Sequence, residues 1–422
     1  MKTLTSGAAL LALSTTTAFA AGLDRSGQSV SAIFAPGGTT TLSYGIVNPQ
    51  LSGKDIGTGG SYSDVGETYG QASIAHTVEI NDKASFALIG EQPYGADINY
   101  NSSPLTTKLG GTSADFNSIS LTAVARYKIS DRFSIFGGVS AERLDSTVTL
   151  NGTGYRDAIT VAGVAKVAGV SATALGAALA DLKAGNFTSP TIAAVGGIAA
   201  ASAMASSVTA AQAGFVATNG YSFRMSHTTQ PHYLIGAAYE IPDIALRIAG
   251  TYHFETTHKA DTVETLLGTT TNGTVEFVTP QSFNLEAQTG IAAGTLLTAS
   301  WRWTEYSAVD LVPTRLGSDL VNLDDTNRYT LGIARQFSDK LALSTTISYE
   351  PEGDDLVSPL GPTNGLVGLS LGGRWTDGPL NISGGVNYSW LGDAKAAIGN
   401  TAQAQFSDNH AIGVGLKIDM KF

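Results

Sequence analysis

The sequence predicts an all-β protein: a transmembrane, up-and-down antiparallel β-barrel of about fourteen strands, with a short N-terminal hatch and a helical extracellular loop insertion. Three observations predict it. Apolar and polar residues alternate with a period of two in segment after segment. Short turns and long irregular connections succeed each other strictly, as periplasmic turns and extracellular loops do in such barrels. Charged residues are only 14% of the chain, yet its mean hydropathy is +0.08. A bundle of membrane helices would be far more apolar, whereas strands with one lipid face and one water face average to neutral.

Taken in order, the chain opens with Lys2, an apolar stretch from Leu4 to Leu13, and Ala18-Phe19-Ala20. This is the pattern of a secretory leader over residues 1–20, too short for a membrane span. Residues 21–38 carry Ser26-Gly27, Ser29, Ser31 and Pro36-Gly37-Gly38. They read either as a disordered tail or as a hatch folded into the barrel. Residues 39–422 are assigned to the barrel. Its strands are expected near 39–50, 64–80, 83–92, 112–129, 133–150, 220–240, 244–256, 272–289, 295–306, 325–337, 340–350, 364–376, 380–391 and 405–422.

The last of these shows the logic. Ile412, Val414, Leu416, Ile418, Met420 and Phe422 fall on one face, and Ala411, Gly413, Gly415, Lys417, Asp419 and Lys421 on the other. Aromatic residues such as Tyr349, Tyr388 and Trp390 gather at strand ends, as interface girdles require. Tight turns are expected at Asn81-Asp82-Lys83, Ser130-Asp131-Arg132, Pro242-Asp243 and Ser338-Asp339-Lys340. Long loops are expected near 51–62, 93–111, 151–219, 256–271, 307–324, 351–363 and 392–404. An even number of strands puts both termini in the periplasm.

The third long loop, 151–219, is rich in Ala, Gly, Val and Ser. Val161, Val164, Ala168, Leu175, Leu179 and Leu182 recur at helical spacing and predict one helix ended by Gly185 and Pro190. A second helix is predicted over 192–217. The pair is expected to pack over the outer mouth, either as a lid or as an apolar landing groove in which Val161, Val164, Leu175 and Leu179 meet ligand.

Several function classes are excluded or weakened. A net charge of −11 leaves no basic stripe for nucleic acid. There is no cysteine, so no disulfide and no thiolate site. The six histidines have no metal-ligand spacing. Ser300 and His253 share inward faces, but no catalytic constellation stands out, and neither enzyme activity, metal nor cofactor is expected. By parity Arg126, Arg247, Arg302, Arg328 and Arg374 point inward. Arg302, Arg328 and Arg247 are the candidates to hold a ligand carboxylate, because a guanidinium can pair both oxygens. The alternative is an internal ladder with Glu79, Glu142, Glu240 and Glu255.

The chain also resembles the FadL family of outer-membrane transporters for long-chain fatty acids and related hydrophobic compounds. The residues that carry the resemblance are Leu42-Ser43-Tyr44-Gly45 with Val47-Asn48-Pro49, Ile80-Asn81-Asp82-Lys83 through Pro93-Tyr94-Gly95, and Thr279-Pro280-Gln281-Ser282 through Trp301, Trp303 and Tyr306. The resemblance implies passive uptake across the Gram-negative outer membrane, an N-terminal hatch, ligand capture by extracellular loops, and lateral release near a kinked third strand. Gly90, Pro93 and Gly95 would permit such a kink. The family's Asn-Pro-Ala hatch motif is absent before the first strand. The implied partners are a long-chain fatty acid or other hydrophobic ligand, and the lipid and lipopolysaccharide around a monomeric barrel. The alternatives are a nonspecific diffusion porin or a surface antigen without a transport role.

Overall fold

The computed structural model describes residues 23–422, and the predicted leader lies outside them. Fourteen antiparallel strands close into a barrel. They are β1 (Thr39–Gln50), β2 (Tyr69–Glu79), β3 in two pieces (Ala84–Glu91 and Gly95–Asn99), β4 (Ser113–Lys128), β5 (Phe133–Leu150) and β6 (Tyr221–Ile241). There follow β7 in two pieces (Leu246–His253 and Thr256–Leu266), β8 in two pieces (Thr269–Thr279 and Ser282–Ala292), β9 (Thr295–Thr304) and β10 (Thr326–Gln336). The last four are β11 (Leu341–Glu350), β12 (Leu366–Asp377), β13 (Leu380–Leu391) and β14 (Asn409–Lys421). Each pairs with its chain neighbours, and β1 closes the ring on β14 from Thr39↔Lys421 to Gln50↔His410.

The alternation read from the sequence is the alternation of the wall. Leu42, Ile74, Ile119, Ile235, Leu331, Ile347, Leu371, Val386, Val414 and Leu416 are exposed on the outside. Their neighbours Ser120, Thr122, Ser348, Ser370, Ser383 and Lys417 are buried inside. Exposed aromatics ring the two rims: Tyr127, Phe133, Tyr239, Phe337 and Trp375 at the periplasmic turns, Tyr233, Tyr329, Tyr349 and Trp390 toward the outside.

Three regions depart from the expectations. The loop expected at 256–271 is a β-hairpin, in which the outer pieces of β7 and β8 pair from Thr256↔Thr279 to Leu266↔Thr269 around Leu267-Gly268. Loops expected to be irregular contribute a five-stranded sheet beyond the barrel, from Gly53–Asp55, Ser61–Tyr62, Leu356–Val357, Ala394–Ile398 and Thr401–Phe406.

The insertion after β5 holds α1 (Gly152–Ala168), α2 (Ala172–Lys183), α3 (Pro190–Ala194) and α4 (Ile198–Ala217), not two helices. Gly169, left-handed at φ 70°, stops α1, and Ser171 caps α2 through the Ala174 amide. Gly196 and Gly197, both at positive φ, separate α3 from α4. These helices pack mainly on one another, around Leu175, Ala165 and Val208 and around Ala178, Ile192 and Ala201.

Leu371 sits mid-strand on the lipid side, half exposed. Leu371→Arg should destabilise the barrel by roughly 2–4 kcal/mol in reversible folding into lipid vesicles. A change below about 0.5 kcal/mol would mean that this face does not touch hydrocarbon.

Candidate functional site

The site is built around one interruption of the wall. Pro93 has no amide hydrogen to give the ladder, and β3 breaks over Gln92–Tyr94. On one side β2 pairs with β3 only from Glu79↔Ser85 to Ile74↔Gly90. Strand β4 follows the break with a shifted register, Glu91↔Ser120 before it and Gly95↔Asn117 after it. The stretch Tyr69–Ser73 of β2 therefore faces a gap where β3 has turned away. Gly90, one of the residues singled out from the sequence, remains in the ladder; the departure begins beyond it.

The N-terminal segment repairs this gap from inside. Residues 23–38 run through the lumen, and Asp24 forms an antiparallel bridge with Tyr94. The Arg25 amide donates to the Pro93 carbonyl at 2.7 Å, and the Gly95 amide to the Leu23 carbonyl at 2.8 Å. The Gln92 side chain accepts from the Ala72 amide at 3.1 Å. Backbone groups freed by the kink are thus taken up by the hatch and one side chain. Arg25 fills the opening itself: its guanidinium lies 3.3 Å over the Tyr69 ring and pairs with Asp97 at 2.5 Å. A Cβ on residue 95 would come 2.7 Å from Arg25 Nε, so a side chain there would push the guanidinium from its place over Tyr69.

Two further anchors hold the hatch. Arg302 donates to Asp24 at 2.5 Å, to Gln28 at 3.0 Å, to Asn284 at 2.8 Å and to Ser282 at 3.2 Å. Asp24 and Arg302 are each about one-tenth exposed, so this is a buried ion pair with its remaining donors satisfied. At the periplasmic end Phe34 lies between the guanidiniums of Arg126 and Arg247, 4.6 and 4.5 Å from its ring centre, and edge-on to Phe136. Val30 and Ile33 between the anchors are buried against Ala75, Ile89, Val124 and Leu234.

The hatch divides the lumen. Above it is a cavity of about 140 Å³ walled by Leu51, Ile98, Phe116, Phe277, Val309, Leu311, Leu320 and Leu360. Its floor is Leu23, Asp24, Arg25, Tyr94 and Tyr306, and on one side it reaches Tyr69, Gly95 and Asp97 at the break in β3. Beside the hatch lies a chamber of about 350 Å³ lined by Ser29, Thr41, Ser43, Ser73, Glu286, Ser300, Thr330 and Lys417. Below it is a periplasmic vestibule of about 310 Å³ with Glu79, Lys83, Lys128 and Glu240 on its walls.

The residues chosen from the sequence are distributed unevenly over this arrangement. Arg302 is bound to the hatch instead of standing ready for a ligand carboxylate. Arg328 donates two hydrogen bonds to Glu350, and Arg247 one to Gln288 near the periplasmic end. All three belong to the internal polar network. Val161, Val164 and Leu179 pack against Leu175 and Val208 within the helical insertion and line none of these cavities. They cover one another because short amphipathic helices need a core of their own. Pro93 and Gly95 are at the break. Arg25, Tyr69, Asp97 and Tyr306 were not foreseen; the break-forming Pro93-Tyr94-Gly95 was the sequence signal closest to them.

The family model described as "Outer membrane protein transport protein (OMPP1/FadL/TodX)" matches residues 35–422. A FadL homologue of Pseudomonas aeruginosa superposes with a TM-score of 0.66 at 15% identity, over 93% of this chain and 92% of its own. The toluene transporter TodX of P. putida gives 0.60 at 14% identity, over 97% and 96% of the two chains. The toluene transporter TbuX of Ralstonia pickettii gives 0.57 at 12% identity, over 97% and 96%. At these identities the likeness is one of fold. No curated protein matches the chain in sequence.

Asp24→Ala leaves the Arg302 guanidinium buried without its counter-charge and should loosen the hatch by roughly 3 kcal/mol. Hydrogen exchange over residues 23–38 should quicken on the order of 100-fold, and Asp24→Leu with Arg302→Met should recover much of the loss. Unchanged exchange in the single variant would mean that this pair does not fasten the hatch.

Proposed function

Because this chain belongs to the outer membrane protein transport family (OMPP1/FadL/TodX), whose members carry hydrophobic compounds across the outer membrane, we propose that its own substrate is a small neutral hydrophobic molecule of monoaromatic size. The supporting observation is the apolar cavity of about 140 Å³ that rests on the hatch and abuts the break in β3. An apolar cavity of roughly 150 Å³ is the size that takes up benzene. A ring buries roughly 150–250 Å², which at about 25 cal/mol per Å² favours entry from water by about 4–6 kcal/mol.

A fatty-acid carboxylate is less suited to this cavity. The cation at its floor, Arg25, is engaged by Asp97, and Arg302 in the chamber beside the hatch is engaged by Asp24. An arriving anion would have to displace a buried carboxylate and would meet the remaining negative charge of Asp24 and Asp97.

The route we infer runs from the outer loops into the cavity and then sideways past Tyr69 and Gly95 into the lipid. The chamber beside the hatch and the vestibule below it are both more polar than the upper cavity, so an apolar molecule loses apolar surroundings by continuing along the barrel axis. The lateral path needs Arg25 to leave its place over Tyr69 and the hatch to give up its backbone bonds to Pro93 and Gly95. No energy source is involved, because transfer from water to membrane is downhill for such a molecule.

The test is uptake in a strain lacking the protein, with and without the restored gene, using radiolabelled toluene, oleate and a small polar solute. Restoration should raise toluene entry several-fold and leave the polar solute unaffected. A defect confined to oleate would return the substrate to fatty acids, and one confined to the polar solute would make the barrel a diffusion pore.

A further inference from the structure

An arginine guanidinium is planar: its N–H donors lie in the plane, and its two faces are free to stack on aromatic rings. In Arg25 the two kinds of contact are separated. Nη2 donates in the plane to Asp97 at 2.5 Å, while the guanidinium carbon lies 3.3 Å over the centre of the Tyr69 ring. This pair is not sealed into the wall. Arg25 and Tyr69 both line the apolar cavity, Arg25 also lines the chamber beside the hatch, and about one-tenth of its side chain is exposed.

The contact stands where the wall is interrupted, so a molecule leaving the cavity sideways must separate the guanidinium from the ring. That separation forfeits a cation–π contact, worth on the order of a tenfold factor where water is largely excluded. The guanidinium can turn from Tyr69 without losing polar surroundings. Asp97 holds one edge of it, and Glu91 and Glu286 are on the walls of the adjacent chamber, whose volume is about 350 Å³. What the turning cation loses is the ring. Whether the departing molecule can replace that ring depends on its chemistry.

We propose that Arg25 and Tyr69 form a door that sorts the contents of the cavity by their π faces: an aromatic ring takes the guanidinium over from Tyr69, and a saturated ring of the same size cannot. The exchange leaves the cation on a ring throughout, so an aromatic molecule opens this contact at little cost. A saturated molecule separates the pair and returns nothing. Apolar burial does not make this distinction, because a saturated ring hides at least as much apolar surface. The two residues have different roles. Tyr69 sets the barrier for every molecule, whereas Arg25 sets the preference, since the guanidinium–ligand contact is what differs between the two classes. This inference rests on the reading that the cavity receives the transported molecule and releases it past Tyr69.

The test compares radiolabelled toluene and methylcyclohexane, which share a carbon skeleton. Their entry is measured in the strain lacking the protein and in the same strain carrying the full-length wild type or a variant, and the difference is the protein-dependent part. The wild type should admit toluene on the order of tenfold faster than methylcyclohexane. Arg25→Met should bring the two rates within about twofold of each other. Tyr69→Leu should quicken both and keep their ratio, and Tyr69→Phe, which keeps the ring, should behave as the wild type. Because Arg25→Met strips Asp97 of its counter-charge, Arg25→Met with Asp97→Leu repeats the measurement with the pair removed together. Heat-modified gel migration verifies that each barrel folds. Equal entry of both probes in the wild type, or a wild-type ratio in the two Arg25 variants, would overturn the proposal while leaving the cavity and its lateral route. Protein-dependent entry of neither probe would remove the transport reading as well, and the proposal with it.

Discussion

Hydrocarbon offers no partner to a backbone amide or carbonyl, and the whole structure is organised by that constraint. It closes the ring of strands through β1 and β14, so that no edge is left to the lipid. It also makes the interruption at Gln92–Tyr94 the most demanding point of the wall. A proline there frees backbone groups at the level of the barrel, and they are matched by Leu23 and Arg25 of the hatch and by the Gln92 side chain. The hatch is consequently more than an obstruction in a tube. It is the missing piece of a strand, and its displacement exposes the same groups that the kink released. Any opening of the wall at this place would break those specific hydrogen bonds.

The buried charges follow from the same geometry. A polar lumen needs its ionisable groups paired, and here the pairs also carry the hatch: Asp24 with Arg302, Arg25 with Asp97, and Phe34 held between Arg126 and Arg247. Each joins a residue of the short N-terminal segment to one or more strands of the barrel. Breaking a buried pair costs more than the pair adds over apolar packing, so such contacts specify position more than they add stability. The arginines that looked available for a ligand are in this sense structural. On the function proposed above, recognition does not rest on ion pairing, which does not favour an anion.

Much of the barrel was legible because each membrane strand carries its environment in its own residues. Leu371 and Ser370, or Leu416 and Lys417, declare their faces by simple parity, and the spans of the strands follow. Legibility ends where the lipid does. The outer pieces of β7 and β8 alternate Thr256, His258, Ala260 and Thr262 inward with Thr257, Lys259 and Asp261 outward. With water on the outside, both faces are polar and the strand reads as a loop. The five-stranded sheet above the mouth was hidden for a second reason, since its two- to six-residue pieces come from distant loops and have no period to detect. The helical insertion was visible as helix but not in its breaks, which depend on Gly169 and on Gly196-Gly197 taking positive φ.

The site itself was hidden by distance along the chain. Asp24 and Arg302 are 278 residues apart, and Tyr306 reaches the cavity only because β9 ends beside the hatch. The sequence marked the weak place in the wall, through Pro93 and Gly95, without indicating what would fill it. Yet the two ends of the argument meet at that place. The glycine at 95 leaves room for Arg25, and Arg25 lies against Tyr69 and Asp97 where the kink leaves an opening. The apolar cavity reaches the same residues. On the proposed route, a molecule held there would have the hydrocarbon membrane on one side, behind Arg25 and the hatch, and more polar chambers on the other. On that reading the free-energy gradient for a greasy molecule points through the wall, and the greater polarity of the lower lumen would direct it there.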